Sequence, residues 1–211
     1  MNTAAILTAC PRAVRGDDWN ALTYIYEDDV NISIGRNLIP QSLALTHAVS
    51  ELLHAPQTPA LRMSGTPDQC KAAVLRDLPN VEGIEALADA VHLVTDAFST
   101  LFDLHKVGLR LDRLDKAMCP RFHVDRVPVR LVLTFAGPAT EWLSEDNLNR
   151  NLLSGAGNPC RTPAGIQQLQ AGDIALLKGE EWDGNEGRGL VHRSPAPAHG
   201  EKRLMLTLDF A

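Results

Sequence analysis

A histidine and an aspartate two residues apart, His123 and Asp125, stand near the start of the stretch Cys119–Trp142, CPRFHVDRVPVRLVLTFAGPATEW. Phe122–Asp125 and Val127–Phe135 are apolar or β-branched at most positions and read as two strands with a turn near Arg126–Pro128. Side chains alternate between the faces of a strand. Arg121, His123 and Asp125 therefore share one face, and Phe122 and Val124 the other. An imidazole and a carboxylate side by side on such a face can supply two ligands to one metal ion. His192, in the run Gly189–Pro195 (GLVHRSP), is the candidate third ligand. A bare His-x-Asp is common and also describes a surface turn. A distant histidine, with an arginine about one strand later, makes the set specific. That order fits the two-histidine, one-carboxylate facial triad of non-haem Fe(II) sites.

The arginine is Arg203, on a last strand expected over Lys202–Phe210. Leu204, Leu206, Leu208 and Phe210 point one way; Arg203, Met205, Thr207 and Asp209 point the other. An arginine turned inward from a core strand is costly unless it meets an anion. Its partner is either a bound dicarboxylate or a buried salt bridge with Asp209 or Asp173. Arg121 and Arg130 fall on polar strand faces and are candidate second anion contacts. Trp142, Trp182 and Cys119 are candidate pocket residues, although large aromatics and buried thiols commonly only pack. His47, His54, His92, His105 and His199 fall on helices or loops and receive no site role.

Elements that position these residues follow from periodicity. The opening residues, to about Asp17, are expected to be loosely held. Val30–Ile34 and Leu61–Met63 read as short strands. Gln41–His54, Pro67–Leu78 with Thr66 as N-cap, and Val81–Leu104 carry helical apolar stripes. Gly108–Leu114 alternates and begins a β-rich half. Ser144–Pro163 reads as a long surface loop with one short helix, Ala171–Lys178 as a turn and strand, and Glu180–Arg188 as a second loop. The fold class expected is α+β. One domain spans 1–211, with mainly helical support over about 1–107 and a cupin-like jelly roll (double-stranded β-helix) of roughly eight strands over about 108–211.

Composition narrows the classes. The net charge of -6 and the lack of a basic run argue against nucleic acid as a partner. No apolar stretch is long enough to span a bilayer. Leu7–Cys10 imitates a lipoprotein cleavage site, but no basic residue or adequate apolar core precedes it, so the expected location is the cytoplasm. Cys10, Cys70, Cys119 and Cys160 are scattered and form no zinc-ribbon or disulfide pattern.

The motifs Cys119–Asp125, Val127–Leu131, Gly137–Trp142, Val191–Pro195 and Arg203–Leu208 resemble the bacterial family catalogued as domain of unknown function 1826. That resemblance spans most of the chain and carries an association with zinc homeostasis. More distantly, the same positions are similar to the 2-oxoglutarate/Fe(II) dioxygenases. This implies a jelly roll in which His123, Asp125 and His192 hold Fe(II), or zinc, and Arg203 takes the far carboxylate of 2-oxoglutarate. The activity implied is hydroxylation of an unknown primary substrate, chosen by the two loops. Where that family has a serine or threonine two residues after the arginine, this chain has Met205. The alternative is a non-enzymatic, cupin-like metal-binding protein, a sensor, store or chaperone. A small-molecule co-substrate is the expected partner, and a homodimer is allowed for.

Overall fold

The computed structural model describes residues 10–155 and 157–211. Leu7–Ala9, and most of the segment expected to be loosely held, lie outside them. The main sheet has seven strands: β1 (Arg12–Gly16), β2 (Val30–Gly35), β3 (Ala60–Gly65), β4 (Val107–Leu114), β5 (Val129–Ala136), β8 (Ile174–Lys178) and β10 (Arg203–Phe210). Their spatial order is β1-β2-β8-β5-β10-β4-β3, antiparallel throughout except for β1 on β2. A small sheet faces it, in the order β7-β6-β9, from β6 (Glu141–Trp142), β7 (Gln167–Gln168) and β9 (His192–Arg193).

The main sheet is apolar on one face and mixed on the other. Leu204, Leu206 and Leu208 join Leu109, Leu111, Leu131 and Leu133 in the principal core. Three helices cover that face: α2 (Leu43–His54), α3 (Pro67–Asp77) and α4 (Ile84–Leu101). A fourth, α1 (Asn20–Thr23), is a single turn. The stripe expected on the longest helix is the buried one: Ile84, Leu87, Val91, Val94 and Phe98. That helix cannot begin at Val81, because Gly83 precedes it at φ 82° and a Cβ there would lie 2.1 Å from the carbonyl oxygen of Ala44. Helix α3 begins as expected, with Thr66 and Gln69 forming a reciprocal capping box.

The main sheet draws on both parts of the chain, and two of its early strands, β2 and β3, fall where short strands are expected. Three strands of the main sheet, β1 to β3, come from before residue 107, a region read as mainly helical support. From Val107 onward there are seven strands rather than eight, and β6, β7 and β9 have two residues each. The opening segment is not loose where it is described. Arg12–Gly16 pairs in parallel with β2, and Arg12 is tied to Asp29 at 2.7 Å and to Glu27. Its alternation is too short and too polar to stand out in the sequence. The loop Ser144–Pro163 contains two short 3-10 turns, Glu145–Asn147 and Arg150–Leu152, instead of one helix.

Lys178 ends β8 and is 1% exposed. Its Nζ donates to the carbonyl of Glu27 at 2.8 Å and lies 4.9 Å from the centre of the Trp182 ring. Burial pushes the ammonium down to about 8. An unfolded lysine titrates near about 10.4, so between these values the unfolded chain holds a proton that the folded chain has lost. Stability attributable to Lys178 therefore rises with pH across that window. The unfolding free energy of the wild type, less that of Lys178→Met, is expected to climb from pH 8 to pH 10 at up to about 1.36 kcal/mol per pH unit. Urea titrations at four pH values would measure it, and a flat difference would refute it.

Candidate metal centre

His192 lies on β9, whose partner on one side is β6 through the Trp142–His192 register. On its other side the backbone of His192 bridges that of His123, each donating to the other at 3.0 Å. This single bridge is all that remains of the strand expected at Phe122–Asp125, and β5 begins at Val129 instead of Val127. Pro120 and Pro128 have no N–H to give a ladder. The segment is pinned differently: the Asp125 carbonyl accepts from Glu180 N, and the Pro128 carbonyl from Gly179 N, both at 2.9 Å. Gly179 is needed there, since a Cβ would meet the Val127 carbonyl oxygen at 2.1 Å.

These contacts bring His123, Asp125 and His192 together, with one donor atom from each within 4.8 Å of the others. His123 Nε2 lies 3.6 Å from Asp125 Oδ1, and His192 Nε2 lies 3.4 Å from Asp125 Oδ2. The imidazole centroids are 4.6 Å apart. Donors held at about 2.0–2.2 Å from one centre stand roughly 3.0–3.6 Å from each other; each imidazole meets that spacing to its own oxygen of Asp125, and the set as a whole lies within 4.8 Å. The tautomers suit it too. Nδ1 of His123 donates to the Arg121 carbonyl at 2.9 Å, and Nδ1 of His192 to the Leu190 carbonyl at 3.1 Å. A carbonyl can only accept, so each Nδ1 carries a proton, and Nε2, which faces Asp125, is the ring atom that could ligate a metal once it holds no proton.

Asp125 is kept ionised. Burial pushes its carboxyl upward, but the two imidazoles and the Arg130 guanidinium outweigh burial and hold it well below the usual carboxylate range. Arg130 Nη1 meets Asp125 Oδ2 at 2.9 Å, while its Nε and Nη2 grip Asp209 at 2.7 and 2.9 Å. The Asp125 hydrogen bond raises the pKa of His123 against the opposing effect of burial.

Arg203 is 0% exposed and faces the minor sheet, as its parity requires. Neither carboxylate considered as its partner is there. Asp209 serves Arg130, and Asp173 accepts from the Gln170 N–H. The guanidinium instead meets neutral atoms: Ser194 Oγ at 2.8 Å, Thr134 Oγ1 at 3.3 Å and Met205 Sδ at 2.9 Å. Its Nε has no partner. Burial alone lowers its pKa, to about 10.

The remaining candidates are distributed unevenly. Cys119 lines the same cavity as His123 and His192. Arg130 also lines it, but its two carboxylates leave it no role as a free anion contact. Arg121 turns outward to the Gly155 carbonyl and lines a different hollow, because without a regular strand the alternation that placed it beside His123 does not hold. Trp142 packs in a second core with Ile32, Ala175 and Leu177. Trp182 packs on Tyr26 and Phe102, with centroids at 5.4 and 6.2 Å. Neither tryptophan lines the triad cavity. Sequence reading missed Thr134 and Ser194, which share strand parity with Arg130 and His192 and were within its reach. It also missed Arg110, for which a place on an alternating strand was the sole signal. A larger cavity of about 470 Å³, between α2 and the turn at Ala171–Asp173, contains no triad residue.

A family model described as "Protein of unknown function (DUF1826)" matches residues 16–209. No curated protein matches. Among solved structures, the chain is similar to a rice dioxygenase for auxin oxidation, with TM-score 0.54 and 12% identity over 96% of this chain and 83% of that one. It is also similar to a full-length Neurospora crassa protein in complex with alpha-KG, with TM-score 0.50 and 11% identity over 97% and 86%. A putative oxygenase from Shewanella oneidensis gives TM-score 0.50 and 14% identity over 94% and 89%. At such identities the likeness shows the fold.

Proposed function

The chain belongs to the DUF1826 family, and we propose that it is an Fe(II)- and 2-oxoglutarate-dependent oxygenase built on a double-stranded β-helix. The observation that carries this reading is the adjacency of two polar sites. One is the His123–Asp125–His192 cluster, in which each Nδ1 is taken by a backbone carbonyl and each Nε2 is turned to Asp125. The other is a buried guanidinium that has no anion, joined to the first through Ser194, two residues beyond His192. The fold shared with the rice dioxygenase agrees with it.

In this reading His123, Asp125 and His192 hold the metal and leave part of its coordination sphere to ligands from outside the chain. The iron would supply the redox chemistry that lets O₂ convert 2-oxoglutarate to succinate and CO₂ while a substrate C–H bond is hydroxylated. Arg203 supplies the fixed charge for the far carboxylate, with Ser194 and Thr134 orienting its fork. Arg130, braced by Asp209, occupies one Asp125 oxygen and limits how that carboxylate can turn. Met205 stands where a hydroxyl would otherwise assist, and its sulfur rests on the guanidinium.

Anaerobic reconstitution with Fe(II), followed by 2-oxoglutarate, is expected to produce a visible charge-transfer band. Slow release of succinate on admitting O₂ should follow. One equivalent of bound metal with neither 2-oxoglutarate binding nor succinate would overturn the oxygenase reading and leave a non-enzymatic metal-binding protein. Among the described residues, no helix is long and apolar enough to cross a membrane.

A further inference from the structure

Three arginines line the triad cavity: Arg110, Arg130 and Arg193. Two are neutralised within the fold. Arg130 is held by Asp125 and Asp209, and Arg193 by Glu141 Oε2 at 2.6 Å, with its guanidinium 4.3 Å from the centre of the Phe122 ring. Among the described residues, Arg110 makes no side-chain hydrogen bond or ion pair. It stands on β4, directly across from Thr207 on β10 and Arg62 on β3. The carboxylates along that ladder are already engaged, Asp112 by Arg62 at 3.0 Å and Asp209 by Arg130. Arg110 is exposed to solvent, so its charge is tolerable without a partner and available to one. The wall beside it is amphipathic, with Met118, Val132 and Met205 apolar and Thr140 and Thr207 offering hydroxyls.

We propose that Arg110 anchors a carboxylate of the primary substrate, an otherwise apolar small acid whose chain lies along Met118, Val132 and Met205. This rests on the reading of the cavity as an oxygenase site, in which Arg203 is taken by the co-substrate. An exposed, unpaired guanidinium at the mouth selects an oxyanion by a two-point contact, and the apolar wall selects the body that follows it. Arg62, at the paired register position, is held by Asp112 and leaves Arg110 as the guanidinium available at the mouth.

The probes are hexanoate and its neutral counterpart hexanamide. Binding is followed by proton NMR: by saturation transfer in metal-free protein, and by line broadening in protein loaded with Mn(II) and saturating 2-oxoglutarate. Hexanoate is expected to bind at least about tenfold more tightly than hexanamide, and Arg110→Gln to remove that preference. Arg110→Lys should keep most of it. Broadening strongest at the methyl end would place the apolar chain toward the metal. Hexanoate binding unchanged by Arg110→Gln, or no preference for hexanoate over hexanamide, overturns the proposal. A preference that depends on Arg110 in metal-free protein, together with failure to bind Mn(II), would sustain the anion site and refute the oxygenase reading instead.

Discussion

Replacing His123 with alanine is expected to abolish stoichiometric metal binding while leaving the fold intact. The two results separate because His123 makes two kinds of contact. Its backbone forms the bridge to His192, and alanine preserves both 3.0 Å hydrogen bonds. Its imidazole contributes Nε2 to the cluster and is half-exposed, so its removal opens no deep cavity. What remains is one imidazole and a carboxylate already shared with Arg130. Loss of even an outer contact in such sites costs about 10–100-fold in affinity, so loss of a ligand should cost on the order of 100-fold or more. Co(II) titration by visible absorption, with circular dichroism as the control on fold, tests this. Retention of one tightly bound equivalent by the variant would refute the assignment.

Arg203→Met is expected to weaken 2-oxoglutarate binding by about 2–5 kcal/mol, which is the usual cost of removing one partner of a buried charge pair. The same change should leave the ligand-free protein no less stable than the wild type. A guanidinium taken out of water and answered only by two hydroxyls and a thioether is poorly compensated. Even a buried ion pair can often be replaced by apolar side chains of similar volume at no cost or with a gain of about 1–4 kcal/mol, and Arg203 has no ionic partner to lose. Methionine also lies next to Met205 without a new polar demand. Denaturant unfolding without ligand and calorimetry with 2-oxoglutarate on metal-loaded protein measure the two effects. A variant that loses stability yet binds 2-oxoglutarate normally would make Arg203 a structural residue. Metal binding should persist, since Arg203 contributes no donor to the cluster.

These expectations rest on parity, and parity worked where strands are long. Along β10 the alternation that sends Leu204, Leu206 and Leu208 to the helices sends Arg203 to the other side, and eight paired residues enforce it. At Arg121 the same reasoning failed because prolines leave the segment one bridge and no ladder. His123 and Asp125 nevertheless converge. Their convergence comes from the bridge to His192 and from the hold of Glu180 and Gly179 on the chain beyond, neither of which is a local property.

The sequence by itself determined the three helices, the long strands, the two faces of the last strand and the identities of the cluster residues. All of these are periodic or compositional, and they follow from how neighbouring residues share one backbone geometry. Only the tertiary structure decided which carboxylate answers which arginine. Asp209, six residues and roughly 20 Å along the same extended strand, is out of reach of Arg203 and pairs with Arg130 across the ladder, leaving Arg203 without an anion and Asp125 clamped. It also decided that β1 to β3 join the main sheet and that Arg110 stands unpaired beside the cluster. Charge pairing depends on separations of a few ångströms between residues far apart in the chain, and no periodicity encodes that distance.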